Sequence, residues 1–182
     1  AEGVPMVLSM CSGITVEEAA GAYGEHGPGL WFQLYIQEDR GFTQAIVERA
    51  EAAGCRALVL TVDSPVLGLK ERNARNRFVL PEGLVLANFC EATPGGTLSE
   101  RAFTLVKLGW EDVEWLRART SLPLLLKGIL HPEDAAEALA RGADGIFVSN
   151  HGGRQLGGVM ASIDAVAPVV EIVDGRVPVL MD

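Results

Sequence analysis

Six short apolar runs in the sequence end on residues that could do chemistry: Ser9; Gln33 and Tyr35; Thr61 and Asp63; Lys127; Ser149 and His151, with Arg154 just after; and Asp182. A neutral histidine takes a proton near pH 7, and an ionised carboxylate beside it orients the ring and stabilises the imidazolium that forms. That logic casts His151 as a base and Asp63 as its partner. Arg154 offers a planar fork suited to a substrate carboxylate, and Lys127 would supply fixed positive charge to an anion that develops during reaction. No side chain in this set accepts electrons, so a redox reaction here would need a cofactor. Each residue alone also has a structural use: Lys127 could extend its head into solvent from a strand end, Asp63 could cap the turn into Pro65, Gln33 could satisfy loop backbone, and His151 before two glycines could serve a turn. Their joint placement at successive run ends is what points to a site.

The elements that must position these residues follow from hydrophobic period. Strand-forming runs occupy residues 4–9, 30–36, 56–63, 123–129, 145–150 and 177–182. Stretches of helical period lie between them at 15–23, 41–53, 110–119, 132–141 and 162–173. The first helix is opened by the capping box Thr15-Val-Glu-Glu18, and Pro132 takes a first helical position. Several strands are apolar on both faces, as in a parallel sheet covered by helices, and Gly54, Gly142 and Gly175 mark the helix-to-strand returns. The class is α/β, and period alone leaves both a closed barrel and a doubly wound sheet open. In either, ligands bind beyond the carboxyl ends of the strands, where the polar residues fall. Residues 64–109 are too long for an ordinary connection and read as an irregular, active-site segment.

Composition excludes several classes. The chain has 182 residues, 48% hydrophobic and 21% charged, which is enough for one substantial core. A formal net charge of -9 with no basic cluster argues against a nucleic-acid partner. The longest apolar runs fall well short of the roughly 20 residues that span a bilayer, so no transmembrane segment is expected. The N-terminal "AEGVPMVLSMCSG" has neither the basic nor the apolar region of a secretory signal, which favours a cytoplasmic protein. Cys11, Cys55 and Cys90 show no CxxC pair and no histidine at metal spacing, so the reading is reduced thiols and no metal.

The strings "FQLY" (32–35), "LTVDSPVLG" (60–68), "RNRF" (75–78), "LPLLLKGI" (122–129), "GADGIFVSNHGGRQL" (142–156) and "VPVLMD" (177–182) resemble, in order and spacing, the FMN-dependent 2-hydroxy-acid oxidising family. That family includes glycolate oxidase, lactate oxidase, mandelate dehydrogenase and flavocytochrome b2. The resemblance implies a (β/α)8 TIM barrel with FMN at the carboxyl face, of which this chain covers about strands 2 to 7. It implies oxidation of an L-2-hydroxy acid to the 2-oxo acid, with His151 as catalytic base, Asp63 as its partner, and Arg154 on the substrate carboxylate. Tyr35 would donate to the substrate oxygen. Lys127 would sit by the flavin pyrimidine. Ser9, Gln33 and Thr61 would contact the ring system, Ser149 would lie under it, and Asp182 would begin the segment running to the ribityl and phosphate. Oxygen, a quinone or a cytochrome would then reoxidise the flavin. A homo-oligomer, often a tetramer in this family, and a peroxisomal location in a eukaryote are further implications.

Three departures stand out. The usual "GRRE" is "GLKE" here, so Lys70 replaces the second carboxylate-binding arginine and keeps its charge without the fork. Cys11 falls where some members carry a bulky aromatic, which implies a roomier pocket. Six strands are fewer than eight, and a complete barrel takes roughly 250 residues, so residues 1–182 read as one FMN-binding barrel domain incomplete at both ends. The connection also reads as short around 93–99. Two other functions fit parts of the pattern: a barrel lyase or aldolase with Lys127 as a Schiff base, and a non-catalytic truncated barrel unit.

Overall fold

A computed structural model describes residues 3–23, 29–65, 68–90 and 106–182. Six strands form one sheet in strictly sequential order: β1 (Met6–Ser9), β2 (Leu30–Leu34), β3 (Ala57–Thr61), β4 (Leu124–Ile129), β5 (Gly145–Val148) and β6 (Val179–Met181). Every neighbouring pair is parallel. Parallel neighbours need a crossover, and helices supply it. These are α1 (Val16–Tyr23) and α2 (Arg40–Ala52), the short α3 (Glu71–Arg75) and α4 (Ala87–Cys90), then α5 (Trp110–Arg117), α6 (Pro132–Ala140) and α7 (Ser162–Val173). Sequential order is what a barrel wall requires and excludes the doubly wound alternative, whose strand order reverses. The sheet is part of a TIM barrel.

Because side chains alternate across a strand, each strand sorts its residues between two faces. Phe32, Leu34, Leu58, Leu60, Leu124, Leu126, Ile146 and Val148 pack under the helices in the main core. The opposite face carries Ala57, Val59 and Leu125, with Trp31, Phe147 and Leu180 packed against them. Continuing each strand by two residues on this second face gives Gln33, Thr61, Lys127, Ser149 and Asp182. An apolar plug thus floors the barrel interior, and polar residues begin where the strands end.

The expected helix signals are realised. Thr15 N–H donates to Glu18 Oε2 at 2.8 Å and Glu18 N–H donates to Thr15 Oγ1 at 3.2 Å, which closes the capping box. Asp39 caps α2 by accepting from Phe42 N–H at 3.0 Å. Gly54, Gly142 and Gly175 all take positive φ where helices return to strands.

The connection from 64 to 109 is not wholly irregular, since it holds α3 and α4. The α4 turn is held by tertiary contacts: buried Asn88 accepts from Val16 N–H at 2.9 Å and donates to Met10 O, Ser12 Oγ and Ile14 O at 3.1 to 3.3 Å. Leaving these backbone groups unpaired would cost about 1–3 kcal/mol. The expected shortening around 93–99 lies outside the described residues.

Candidate active site

The β5 run ends on Ser149, and the chain then takes an unusual course. His151, Gly152 and Gly153 have φ of 59, 63 and 67°, three left-handed residues in a row. Histidine tolerates this region better than most side chains, and glycine enters it freely. Asn150 fixes the turn, its Oδ1 accepting from Gly153 N–H at 3.0 Å while its own N–H donates to Ser162 Oγ at 3.0 Å. Ser149 Oγ accepts from His151 N–H at 2.9 Å. The turn brings the imidazole over the end of β3, where His151 Nδ1 lies 2.8 Å from Asp63 Oδ1.

Asp63 sits deep, its side chain 11% exposed. Its Oδ2 is buried without a partner among the described residues, an acceptor with spare capacity. Close approach of β4 depends on Gly128: with φ at 111°, a Cβ there would stand 2.5 Å from Asp63 Cβ. The ladder between β4 and β5 shifts register at this residue. A side chain at 128 would push apart the strand carrying Lys127 and the loop carrying Asp63.

Lys127 Nζ donates to Ser149 Oγ at 2.7 Å and pairs with Asp182 Oδ2 at 2.8 Å. Burial by itself would raise the Asp182 carboxyl, but hydrogen bonds from Lys127 and Ser149, with the Lys127 charge, hold it below the ordinary carboxylate value. Across the same rim, Ser9 Oγ donates to Gln33 Oε1 at 3.1 Å, and Gln33 Nε2 donates to Thr61 Oγ1 at 2.9 Å. Tyr35 completes the group. Burial, then the charges of Cys11 and Asp63, push its phenol up to about 12 despite a hydrogen bond with Thr61. It is a neutral donor at any working pH.

Nine of the eleven residues that the sequence singles out therefore form one connected rim over β1 to β6. Arg154 is exposed and directly follows the two glycines of the turn. Lys70 lies at the start of α3; burial pushes the Cys11 thiol up, and the Lys70 charge opposes that rise only in part. Two residues that the sequence does not single out also bridge the site. Gln155 Nε2 donates to Ser64 Oγ at 2.8 Å, and Gln155 Oε1 accepts from Gly68 N–H at 2.8 Å. Ser64 and Gln155 both lie inside strings that resemble the family, but nothing in the sequence pairs them.

Sequential parallel strands with a histidine–aspartate pair, a lysine–aspartate pair and an amide–hydroxyl chain at their carboxyl ends have the layout of a TIM-barrel site. The sequence profile described as FMN-dependent dehydrogenase matches residues 1–182, and the chain belongs to that family. It is 50% identical to an L-lactate oxidase of Nostoc sp., over 99% of this chain and 52% of that protein. It is 45% identical to glycolate oxidase 3 of Arabidopsis thaliana, over 100% of this chain and 51% of that protein. Among solved structures, mandelate oxidase with benzoyl-formic acid superposes with a TM-score of 0.86 at 43% identity, covering 99% of this chain and 49% of that one. The chain spans about half the length of the curated relatives it matches.

The family's cofactor is FMN. The donor set fits its ring system, whose pyrimidine edge carries carbonyl oxygens, ring nitrogens and one N–H. Lys127 and Gln33 supply donors, while Thr61 and Ser9 supply hydroxyls that give or accept, all on adjacent strand ends. Among the described residues no helix is long and apolar enough to cross a membrane.

Proposed function

We propose that the polypeptide carrying this chain is an FMN-dependent oxidase or dehydrogenase that converts an L-2-hydroxy acid to the 2-oxo acid. The observation that supports this most is the His151–Asp63 pair at 2.8 Å, set beside the neutral phenol of Tyr35 at the mouth of the barrel. An ionised Asp63 accepts from Nδ1–H, which fixes the tautomer and leaves Nε2 with its lone pair. Nε2 takes the proton that leaves the substrate. Asp63 then stabilises the imidazolium. Tyr35 donates to the substrate oxygen, and Arg154 binds the carboxylate through its fork, with Lys70 adding a second positive charge.

Bound FMN supplies the two-electron acceptor that no side chain provides. Lys127 would bring positive charge to the flavin, Gln33, Thr61 and Ser9 would supply hydrogen bonds to its ring system, and Ser149 and Asp182 would complete the residues that hold it. Residues 1–182 form the greater part of one barrel domain, and residues 64–109 contribute to its active site. Oxygen, a quinone or a cytochrome removes the electrons, and the assembled protein is a homo-oligomer.

The test is an absorption spectrum of the flavin-loaded polypeptide before and after anaerobic addition of L-lactate, glycolate and L-mandelate. Bleaching of the flavin bands by at least one acid is expected, and its loss in His151→Gln. Bands unchanged by any 2-hydroxy acid, or full bleaching rates in His151→Gln, would overturn the proposal.

A further inference from the structure

The side chain of Gln155 joins two loops that carry opposite halves of the candidate site. On one side it belongs to the β5 loop, directly after Arg154 and four residues from His151. On the other it reaches 91 residues back along the chain to Ser64, and 87 residues back to Gly68. The two bonds have opposite polarity. The amide N–H donates to Ser64 Oγ, so the Ser64 hydroxyl hydrogen is free to point elsewhere, and it donates to Asp63 Oδ1 at 3.3 Å. The amide oxygen accepts from the N–H of Gly68, two residues before Lys70. Space at this junction is tight: a Cβ on residue 68 would lie 2.1 Å from the Arg154 carbonyl oxygen.

We infer that Gln155 is a positioning residue: it polarises a Gln155–Ser64–Asp63 relay that orients the His151 base, and it tethers the Lys70 connection against the Arg154 loop. The relay arm acts on the proton-accepting geometry. A carboxylate that receives a hydrogen bond from Ser64 keeps one lobe of Oδ1 occupied and presents the other to the imidazole. The tether arm acts on substrate binding, because Lys70 and Arg154 are the two cations proposed to meet the substrate carboxylate. This inference rests on the proposed function for its kinetic meaning, but its geometry does not.

The two arms are separable by substitution. Ser64→Ala cuts the relay and leaves the tether. Gln155→Glu keeps the tether, since a carboxylate still accepts from Gly68 N–H, but it accepts from Ser64 as well and draws that hydroxyl away from Asp63. Gln155→Leu cuts both. In the full polypeptide loaded with FMN, Gln155→Leu is expected to lower kcat about tenfold and raise KM about tenfold, whereas Ser64→Ala and Gln155→Glu lower kcat by a similar factor with KM within about twofold. A purely structural role would move all three together with thermal stability and would not split kcat from KM.

A second readout needs no turnover. The Nδ1–H that His151 shares with Asp63 is identified in a proton NMR spectrum by its absence in His151→Gln. It is expected to shift and exchange faster in Ser64→Ala and Gln155→Glu, both of which preserve the core. If the unaltered protein turns over no 2-hydroxy acid, the proposed function fails and the NMR signal alone decides this inference. An imidazole signal unchanged in all three variants, or a Gln155→Leu variant with both kinetic constants within about twofold of the parent, would overturn it.

Discussion

Two acid–base pairs sit on the same rim with the same separation, and they differ in what the environment lets them do. His151 and Asp63 meet at 2.8 Å, and so do Lys127 and Asp182. Asp63 is 11% exposed and keeps a buried oxygen without a partner among the described residues, whereas Asp182 is 44% exposed and is matched by Lys127 and Ser149. The first pair joins an imidazole to a carboxylate with spare acceptor capacity. The second joins an amine to a carboxylate that is more open to solvent. Under the proposed function, identical spacing would serve two tasks: one pair to move a proton, the other to hold a charge.

Breaking the first pair should have the largest effect. His151→Gln is expected to cut kcat by about 10²–10⁴-fold in steady-state turnover of a 2-hydroxy acid, and His151→Lys should not restore it, because a fixed cation cannot accept the proton. Asp63→Asn should follow, with a loss of about 10²-fold or more and bound substrate still detectable by flavin perturbation, since the ring loses its orienting acceptor. Breaking the second pair should respond differently to charge. Lys127→Met is expected to slow flavin reduction by on the order of 10²-fold in stopped-flow, whereas Lys127→Arg should recover most of that loss.

Arg154→Lys sharpens the contrast on the substrate side. Charge survives but the fork does not, so KM should rise about tenfold with kcat little changed. The smallest effect concerns pH and stability. Asp182 has its carboxyl lowered in the folded state, so its contribution is complete above the unfolded carboxylate value and is lost as pH falls through the lower folded one. The Tm difference between the parent protein and Asp182→Asn should accordingly be present at neutral pH and shrink below about pH 4.

Much of this rim is legible in the sequence. Strand ends announce themselves when a two-residue period stops on a polar group, and Gln33, Thr61, Lys127 and Ser149 each occupy the interior parity of their strand. Sequential helix–strand alternation carries the α/β class, but only the observed strand order separates a barrel wall from a doubly wound sheet. The short helices are invisible for a physical reason. Glu71–Arg75 starts at Lys70 without a side-chain cap, and Ala87–Cys90 owes its form to Asn88 contacts with residues more than seventy positions away. The same holds for Gln155, whose partners are distant in sequence. Local pattern encodes local structure, and an amide that works across the fold looks like any other polar residue in a loop.

The strict β1-to-β6 order also has a consequence in time. Each strand bonds only to the strand before it and the strand after it in the chain, so the loops that must close during folding are mostly those of a single strand–helix–strand unit. Closing such loops costs little entropy beyond the first, and assembly by successive addition of units is faster than assembly from distant pairings. The exception is the stretch between β3 and β4, more than sixty residues from Thr61 to Leu124. By length, joining those two strands is the entropically costliest closure in the described sheet, and it also brings Lys127 alongside Thr61. The strand ends proposed to hold the cofactor therefore meet only where the longest of these loops closes.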